Sequence, residues 1–153
     1  MTYIAPEPQD FLSPPFRIDR DAAPDSGSPA AEGLAREVAA EFGPRDEKPF
    51  ALVARDHSGG WIGGINGVIH WRWLYVAQFF VAPDWRGRGV GAALLRKAQD
   101  LARENRCVGI YLDTFSPRAK GFYEKSGFIV AGRIENFPPG ASRSFLFKPL
   151  TPD

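Results

Sequence analysis

The chain of 153 residues has few of the side chains that build covalent or metal cross-links. Cys107 is its one cysteine, which excludes an intrachain disulfide and a cysteine-based zinc cluster. The two histidines, His57 and His70, do not make a metal site by themselves, so we expect no metal. A lone thiol is compatible with a reducing compartment.

The sequence also lacks a long apolar run and an excess of charge of one sign. Its most apolar run, residues 73–83, contains Gln78 and falls well short of the roughly 18 residues needed to cross a bilayer. The first ten residues have neither a basic start nor an apolar signal core. With 19 basic and 18 acidic residues, the net charge of +1 gives no strong positive field. We therefore expect a cytoplasmic protein that binds neither nucleic acid nor a membrane.

What the sequence does contain is the composition of one ordinary globular domain. Hydrophobic residues make up 44% and charged residues 24%, so we expect residues 1–153 to form a single domain. Six of the 14 prolines fall in residues 1–29, so residues 1–28 are expected to be a proline-rich segment without long regular elements.

Hydrophobic periodicity and turn residues predict three helices and six strands. The helices are expected at 29–42, at 89–105 and from Ser116 to a stop at Gly127, and the strands at 50–55, 61–70, 74–81, 108–114, 128–135 and 144–150. The order strand, helix, strand in the middle predicts one parallel crossover pair, flanked by antiparallel hairpins. The expected fold class is α+β, a mixed and mostly antiparallel central sheet with flanking helices and no internal repeat.

The most informative stretch is VAPDWRGRGVGA, residues 81–92, where an apolar strand passes through a glycine-rich turn into a helix. Glycine lets a backbone approach a ligand closely, and a helix start presents free amides and a positive dipole end. These features favour a phosphate group as ligand, with Arg86 and Arg88 adding full charges at its rim. The simpler alternative is a turn whose glycines only permit tight packing.

Two other phosphate-binding patterns can be weighed against this turn. A P-loop needs Lys and then Ser or Thr after its last glycine, but Gly91 is followed by two alanines. A dinucleotide fold fits better, because residues 87–92 match G-x-G-x-x-A and Asp113 could bind a ribose. Against it, five residues separate the strand from Gly87, and no further strand-helix units follow.

A third pattern covers more of the chain. The segment VAPDWRGRGVGAALL resembles the coenzyme A pyrophosphate loop of GNAT-type N-acetyltransferases, whose arginine and glycine positions fall on Arg86, Gly89 and Gly91. Downstream, SPRAKGFYEKSGF resembles the late helix of the same family and contains Tyr123. The resemblance extends over about residues 29–150. It implies a GNAT-like fold and transfer of acetyl from acetyl-CoA to a primary amine by direct attack.

The resemblance also implies roles for individual residues. Tyr123 would be the catalytic acid that protonates the departing thiolate. Ser116 stands where the family often has an asparagine, so a cofactor contact there competes with a simple helix cap. Of Phe79 and Phe80, we expect the side chains to be core and the backbone, with that of Val81, to contact the cofactor. The full set of expected cofactor-binding residues is Phe79, Phe80, Val81, Arg86, Gly87, Arg88, Gly89, Val90, Gly91, Ala92, Ser116 and Tyr123.

The general base and the acceptor remain open at this level. The strand 74–81 has no carboxylate, which leaves a water chain ending at the backbone or at Tyr75, with Asp113 and Glu135 as further candidates. The acceptor is expected near the first helix, residues 71–75 and the loop 137–143; a small-molecule amine is favoured over a protein amine. A homodimer and an acyl group other than acetyl are compatible with the resemblance. The rival functions are a non-catalytic CoA-binding regulatory module and, less favoured, an NAD-linked oxidoreductase.

Overall fold

The computed structural model describes residues 15–22 and 27–151, and the chain divides into two compact units, Met1–Gly43 and Pro44–Asp153. The first unit contains helix α1, Pro29–Phe42, with the predicted bounds. Its start is fixed by Ser28, whose Oγ accepts a hydrogen bond from the Ala31 amide at 3.4 Å. Its end is fixed by Gly43, whose φ of 82° lies in the left-handed region.

Over its described residues 44–151, the second unit contains a six-stranded sheet, two α-helices and a short 3-10 helix, Pro83–Trp85. Its elements in chain order are β1 Lys48–Arg55, β2 Trp61–His70, β3 Trp73–Val81, α2 Val90–Glu104, β4 Gly109–Thr114, α3 Pro117–Lys125, β5 Ile129–Glu135 and β6 Ser142–Pro149. The strand order is β1-β2-β3-β4-β6-β5. Only β3 and β4 are parallel neighbours. The predicted α+β class and the central parallel pair are confirmed, and the predicted bounds are met within about two residues.

The parallel pair is short, and this opens the sheet. Strands β3 and β4 pair only from Trp73↔Gly109 to Tyr75↔Tyr111. Beyond that point β3 stays paired with β2 as far as Val81, and β4 stays paired with β6 as far as Thr114. The two halves of the sheet therefore diverge, and we call the opening between residues 76–81 and 112–114 the split.

The apolar core fixes the helices that border the split. Helix α2 buries Leu94, Leu95, Ala98 and Ala102 in one cluster with strand residues such as Leu74 and Ile110. From α3 the cluster includes Tyr123. The end of α3 is held by Lys148 of β6, whose Nζ donates to the Ser126 carbonyl at 2.8 Å and to Gln99 Oε1 of α2 at 3.3 Å. Burial and the neighbouring Arg103 lower the pKa of Lys148.

A bulge in β3 lies where the split begins. Asn66 of β2 pairs with Gln78 and Gly67 pairs with Val76, so Ala77 is an extra residue without a partner in β2. A side chain on Gly67 would overlap the carbonyl oxygen of Tyr75. Glycine at this position therefore allows β2 to approach β3 closely enough to form the bulge.

The replacement Gly67→Ala should consequently destabilise the sheet. The backbone of β3 would have to shift away from the added methyl group, and overpacking of this kind costs about 3 kcal/mol in free energy of unfolding. Urea denaturation followed by circular dichroism measures the change.

The matched control is Gly132→Ala in β5, where an added Cβ has no neighbour within 4 Å. We expect that variant to stay within about 0.5 kcal/mol of the parent protein. Equal stability of the two variants would show that the close approach of β2 to β3 at Gly67 does not require a glycine.

Candidate active site

The split opens into a cavity of about 900 Å³. Its walls come from the free part of β3, the glycine-rich turn, the first turn of α2, the end of β4 and helix α3. Nearly every residue predicted to bind the cofactor lines it, namely Phe79, Phe80, Val81, Arg86, Gly87, Gly89, Val90, Gly91, Ala92, Ser116 and Tyr123. Arg88 does not line it.

One end of the cavity is suited to an anion. Gly89 caps α2 with φ 83°, and the first backbone bond of the helix runs from the Ala93 amide to the Gly89 carbonyl at 3.0 Å. The amides of residues 90–92 precede that bond and have no backbone acceptor among the described residues. The first turn has no acidic side chain. Free amides and the helix dipole together favour a phosphate group here.

The predicted arginines differ in where they lie. Arg86 lines the cavity, its Nε donates to the Val81 carbonyl at 3.0 Å, and its guanidinium lies 5.4 Å from the Phe80 ring centre. Arg88 instead lies over the ring of Trp85 at 4.9 Å. Arg118 of α3, which the sequence did not single out, is the second arginine in the lining. Two positively charged side chains therefore line the cavity, Arg86 from the turn before α2 and Arg118 from α3.

Phe79 and Phe80 lie in different environments because successive residues of a strand point to opposite faces. Phe79 packs against the core and lies 6.0 Å from Phe122, ring centre to ring centre. Phe80 is 51% exposed and stacks on Trp61 at 6.1 Å. The prediction of a core side chain is thus confirmed for Phe79 and wrong for Phe80, which pairs with a ring of β2 on the other face.

Tyr123 is buried in the wall of the cavity, with 6% of its surface exposed. Its ring lies 5.5 Å from Phe122, 5.5 Å from Phe128 and 6.2 Å from Phe79. Burial, with a smaller contribution from the negative charge of Asp113, raises the pKa of Tyr123 to about 12. The hydroxyl is therefore protonated at neutral pH, and no group in the described part of the chain hydrogen-bonds to it.

Ser116 starts α3 as a cap. Its Oγ accepts a hydrogen bond from the Ala119 amide at 3.2 Å, and Pro117 follows as the first helical residue. The same residue lines the cavity. The side chain has a structural role that does not depend on a ligand.

Asp113 and Glu135, the two carboxylates considered as candidates for the general base, lie in different environments. Asp113 lines the cavity, whereas Glu135 is exposed and pairs with Arg133. Asp113 accepts hydrogen bonds from Arg143 of β6 and, at 3.4 Å, from the Tyr75 hydroxyl. Burial and then Asp113 raise the pKa of Tyr75, with Arg143 acting in the opposite direction. Sequence reasoning did not foresee the pair with Arg143, because it depends on the register of β4 against β6.

Over the described ranges 15–22 and 27–151, no three His, Cys, Asp or Glu side chains are grouped so that they could hold a metal ion. In the same ranges, none of the helices has the length and apolar character that a membrane span requires.

Comparison with known proteins identifies the family of this chain. The family model described as Acetyltransferase (GNAT) family matches residues 12–128, most of the chain. The chain belongs to the GNAT acetyltransferase family. As a GNAT acetyltransferase, it uses acetyl-CoA as the acyl donor, and the predicted enzyme class is confirmed.

Individual relatives agree with this assignment. The blasticidin-S acetyltransferase of Streptomyces morookaense is 35% identical over 127 residues, 82% of this chain and 92% of that protein. The crystal structure of an Agrobacterium tumefaciens acetyltransferase superposes with a TM-score of 0.74 at 31% identity, covering 86% of this chain and all of that one. A Bacillus anthracis protein named for streptothricin acetylation was solved with acetyl coenzyme A; its TM-score is 0.61 at 25% identity, covering 71% of this chain and 64% of that one.

The anion-binding end of the cavity can be tested with Gly89→Glu. The new carboxylate would stand beside the free amides of α2 and repel a pyrophosphate, so we expect CoA affinity to fall by about tenfold or more. Isothermal titration calorimetry with CoA measures the change.

Gly59→Glu is the matched control. Gly59 has φ 84° and, like Gly89, has open space around a built Cβ, but it lies in the β1–β2 turn. Both variants therefore add one charge and the same left-handed strain, about 1–2 kcal/mol. A similar loss of CoA affinity in both would place the pyrophosphate elsewhere.

Proposed function

We propose that this acetyltransferase acetylates a small-molecule primary amine by direct attack on the acetyl-CoA thioester in the split, with Tyr123 as the acid. The observation that carries the proposal is the position of Tyr123, which lies in the wall of the cavity with no protein hydrogen bond to its hydroxyl in the described part of the chain. A hydroxyl that lines the cavity and is not engaged by the protein can donate its hydrogen bond to a bound ligand.

The cavity offers a place for each part of acetyl-CoA. The free amides of residues 90–92, with Arg86 close by, suit the pyrophosphate. The edge of β3 over residues 76–81 has no strand beside it on the β4 side, so its backbone can pair with the amide groups of pantetheine. Phe79 and Phe122 supply an apolar wall for the chain between those amides. The thioester would then lie near Tyr123, where the split narrows.

The chemistry requires few groups from the protein. The nitrogen forms a bond to the acetyl carbon, the carbon–sulfur bond breaks, the nitrogen loses a proton to solvent water, and the sulfur gains one. Tyr123 would donate the proton to sulfur and recover it from solvent. The negative charge on sulfur develops only as the bond breaks, so this hydrogen bond is stronger in the transition state than in bound acetyl-CoA.

A small acceptor is supported by the relatives. The Streptomyces morookaense protein is named for blasticidin S and the Bacillus anthracis protein for streptothricin. The first of these is matched over 92% of its length. These names motivate the choice of acceptors to test.

The proposal is tested with an acceptor panel read by release of free CoA thiol. The panel contains blasticidin S, streptothricin, simple alkyl amines and a lysine-containing peptide, each with acetyl-CoA. We expect thiol release with at least one small amine and little with the peptide. If only the peptide is acetylated, the acceptor is a protein amine and not a small molecule. CoA binding without any turnover would favour a non-catalytic CoA-binding regulatory module.

The acid role of Tyr123 is tested with Tyr123→Phe and the best acceptor of the panel. Loss of one positioned donor should lower kcat by about ten- to a thousandfold. The ring is retained, so the dissociation constant of CoA should stay within about twofold, because the hydroxyl acts mainly in the transition state.

An acyl donor with a thiol of lower pKa is the control for that experiment. Its leaving group needs less protonation, so the deficit of Tyr123→Phe should shrink. An unchanged kcat in folded Tyr123→Phe would show that Tyr123 contributes to packing and not to catalysis.

A further inference from the structure

The carboxylate of Asp113 occupies a distinctive position in the split. Asp113 is two residues beyond Tyr111, the last residue of β4 that pairs with β3, and therefore points to the same face of the sheet as Tyr111. Its side chain is 15% exposed. It is the only carboxylate among the described residues that line the cavity. A single negative charge thus stands where the two strands begin to diverge.

The two oxygens of this carboxylate are used unequally. Oδ2 accepts a hydrogen bond from Arg143 Nε at 2.6 Å and a second contact from Nη2 of the same guanidinium. Among the described residues, Oδ1 accepts a hydrogen bond only from the Tyr75 hydroxyl, at 3.4 Å. A carboxylate has about four acceptor positions, so within the described residues Oδ1 keeps room for a further donor.

Neighbouring groups hold the carboxylate in place. Arg143 also lies over the ring of Phe137 at 4.7 Å, and Tyr75 stacks on Tyr111 at 4.9 Å. Asp113 is therefore supported from β6 on one side and from β3 on the other. A group that is already fixed loses little freedom when a ligand binds to it.

Charges of opposite sign occupy different parts of the cavity. The positive groups, Arg86, Arg118 and the free amides of α2, come from the turn and the two helices. Asp113 comes from the end of β4 and is close enough for its charge to act on Tyr123. One end of the cavity thus suits phosphate and the other suits a cation.

We propose that Asp113 Oδ1 binds the amine nitrogen of the acceptor and orients it toward the thioester. The inference rests on the proposed function and adds an acceptor-binding residue to it. The acceptor class follows from the charge: an aliphatic amine that arrives as an ammonium ion, in preference to a neutral aromatic amine or an alcohol. Before the attack the ammonium gives one proton to solvent water, which frees the nitrogen lone pair, and an N–H of the resulting amine stays hydrogen-bonded to Oδ1. Tyr75 and Arg143 are positioning residues, because they act through Asp113.

The test uses two stable CoA thioethers, so that it needs no identified acceptor. S-(2-aminoethyl)-CoA carries an ammonium group two carbons from the sulfur, and S-propyl-CoA carries a methyl group at the same position. In the full-length protein, calorimetry should show tighter binding of the ammonium compound, by about tenfold, as expected for a charge-assisted hydrogen bond.

Asp113→Asn should abolish this preference while CoA itself binds as it does to the parent protein, which also shows that the variant is folded. The matched control is Glu135→Gln, which removes the same charge from an exposed carboxylate outside the cavity lining and should keep the preference.

Equal affinity of the parent protein for the two thioethers would overturn the inference without any variant, and so would a preference that survives in Asp113→Asn. Either result, with CoA still bound, would leave the proposed acetyl transfer in place. Failure of the parent protein to bind CoA would contradict the proposed function and this inference together.

Discussion

The early separation of β3 from β4 is the constraint on which the site depends. After three paired positions each strand keeps only its outer neighbour, so the edge of β3 over residues 76–81 is left without a strand on the β4 side. Backbone amides and carbonyls along this edge can pair with an extended ligand that carries amide groups. The bulge at Ala77 and the close approach at Gly67 lie at the same level of the sheet.

The chemistry of the split follows from which groups are buried beside it. The turn before α2 supplies donors and positive charge, and the end of β4 supplies one carboxylate. Tyr123 also lines the cavity, and its burial among aromatic rings raises the pKa of its hydroxyl. Because each group belongs to a different element, small shifts in the packing of α3 against β6 would change their distances. The bonds from Lys148 to Ser126 and Gln99 oppose such shifts.

Local patterns in the sequence predicted the elements and the glycine-rich turn, because helix periods, caps and alternating glycines act over a few residues. These patterns indicate Arg86 and Gly89, whereas Tyr123 follows from the resemblance to the GNAT family, and all three residues line one cavity. The bulge at Ala77 and the pairing of Asp113 with Arg143 could not be found, since both depend on strand register, which links distant residues. The prediction for Phe80 is wrong because the alternation along β3 turns its ring to the face opposite Phe79, where it stacks on Trp61.

A crystal structure of the complex with CoA tests the central claim most directly. The account predicts pantetheine density along residues 76–81 of β3, pyrophosphate oxygens at the amides of residues 90–92, and the sulfur within about 3.5 Å of Tyr123 Oη. Density for CoA outside the split, or a sulfur atom directed away from Tyr123 with pantetheine unpaired, would contradict it.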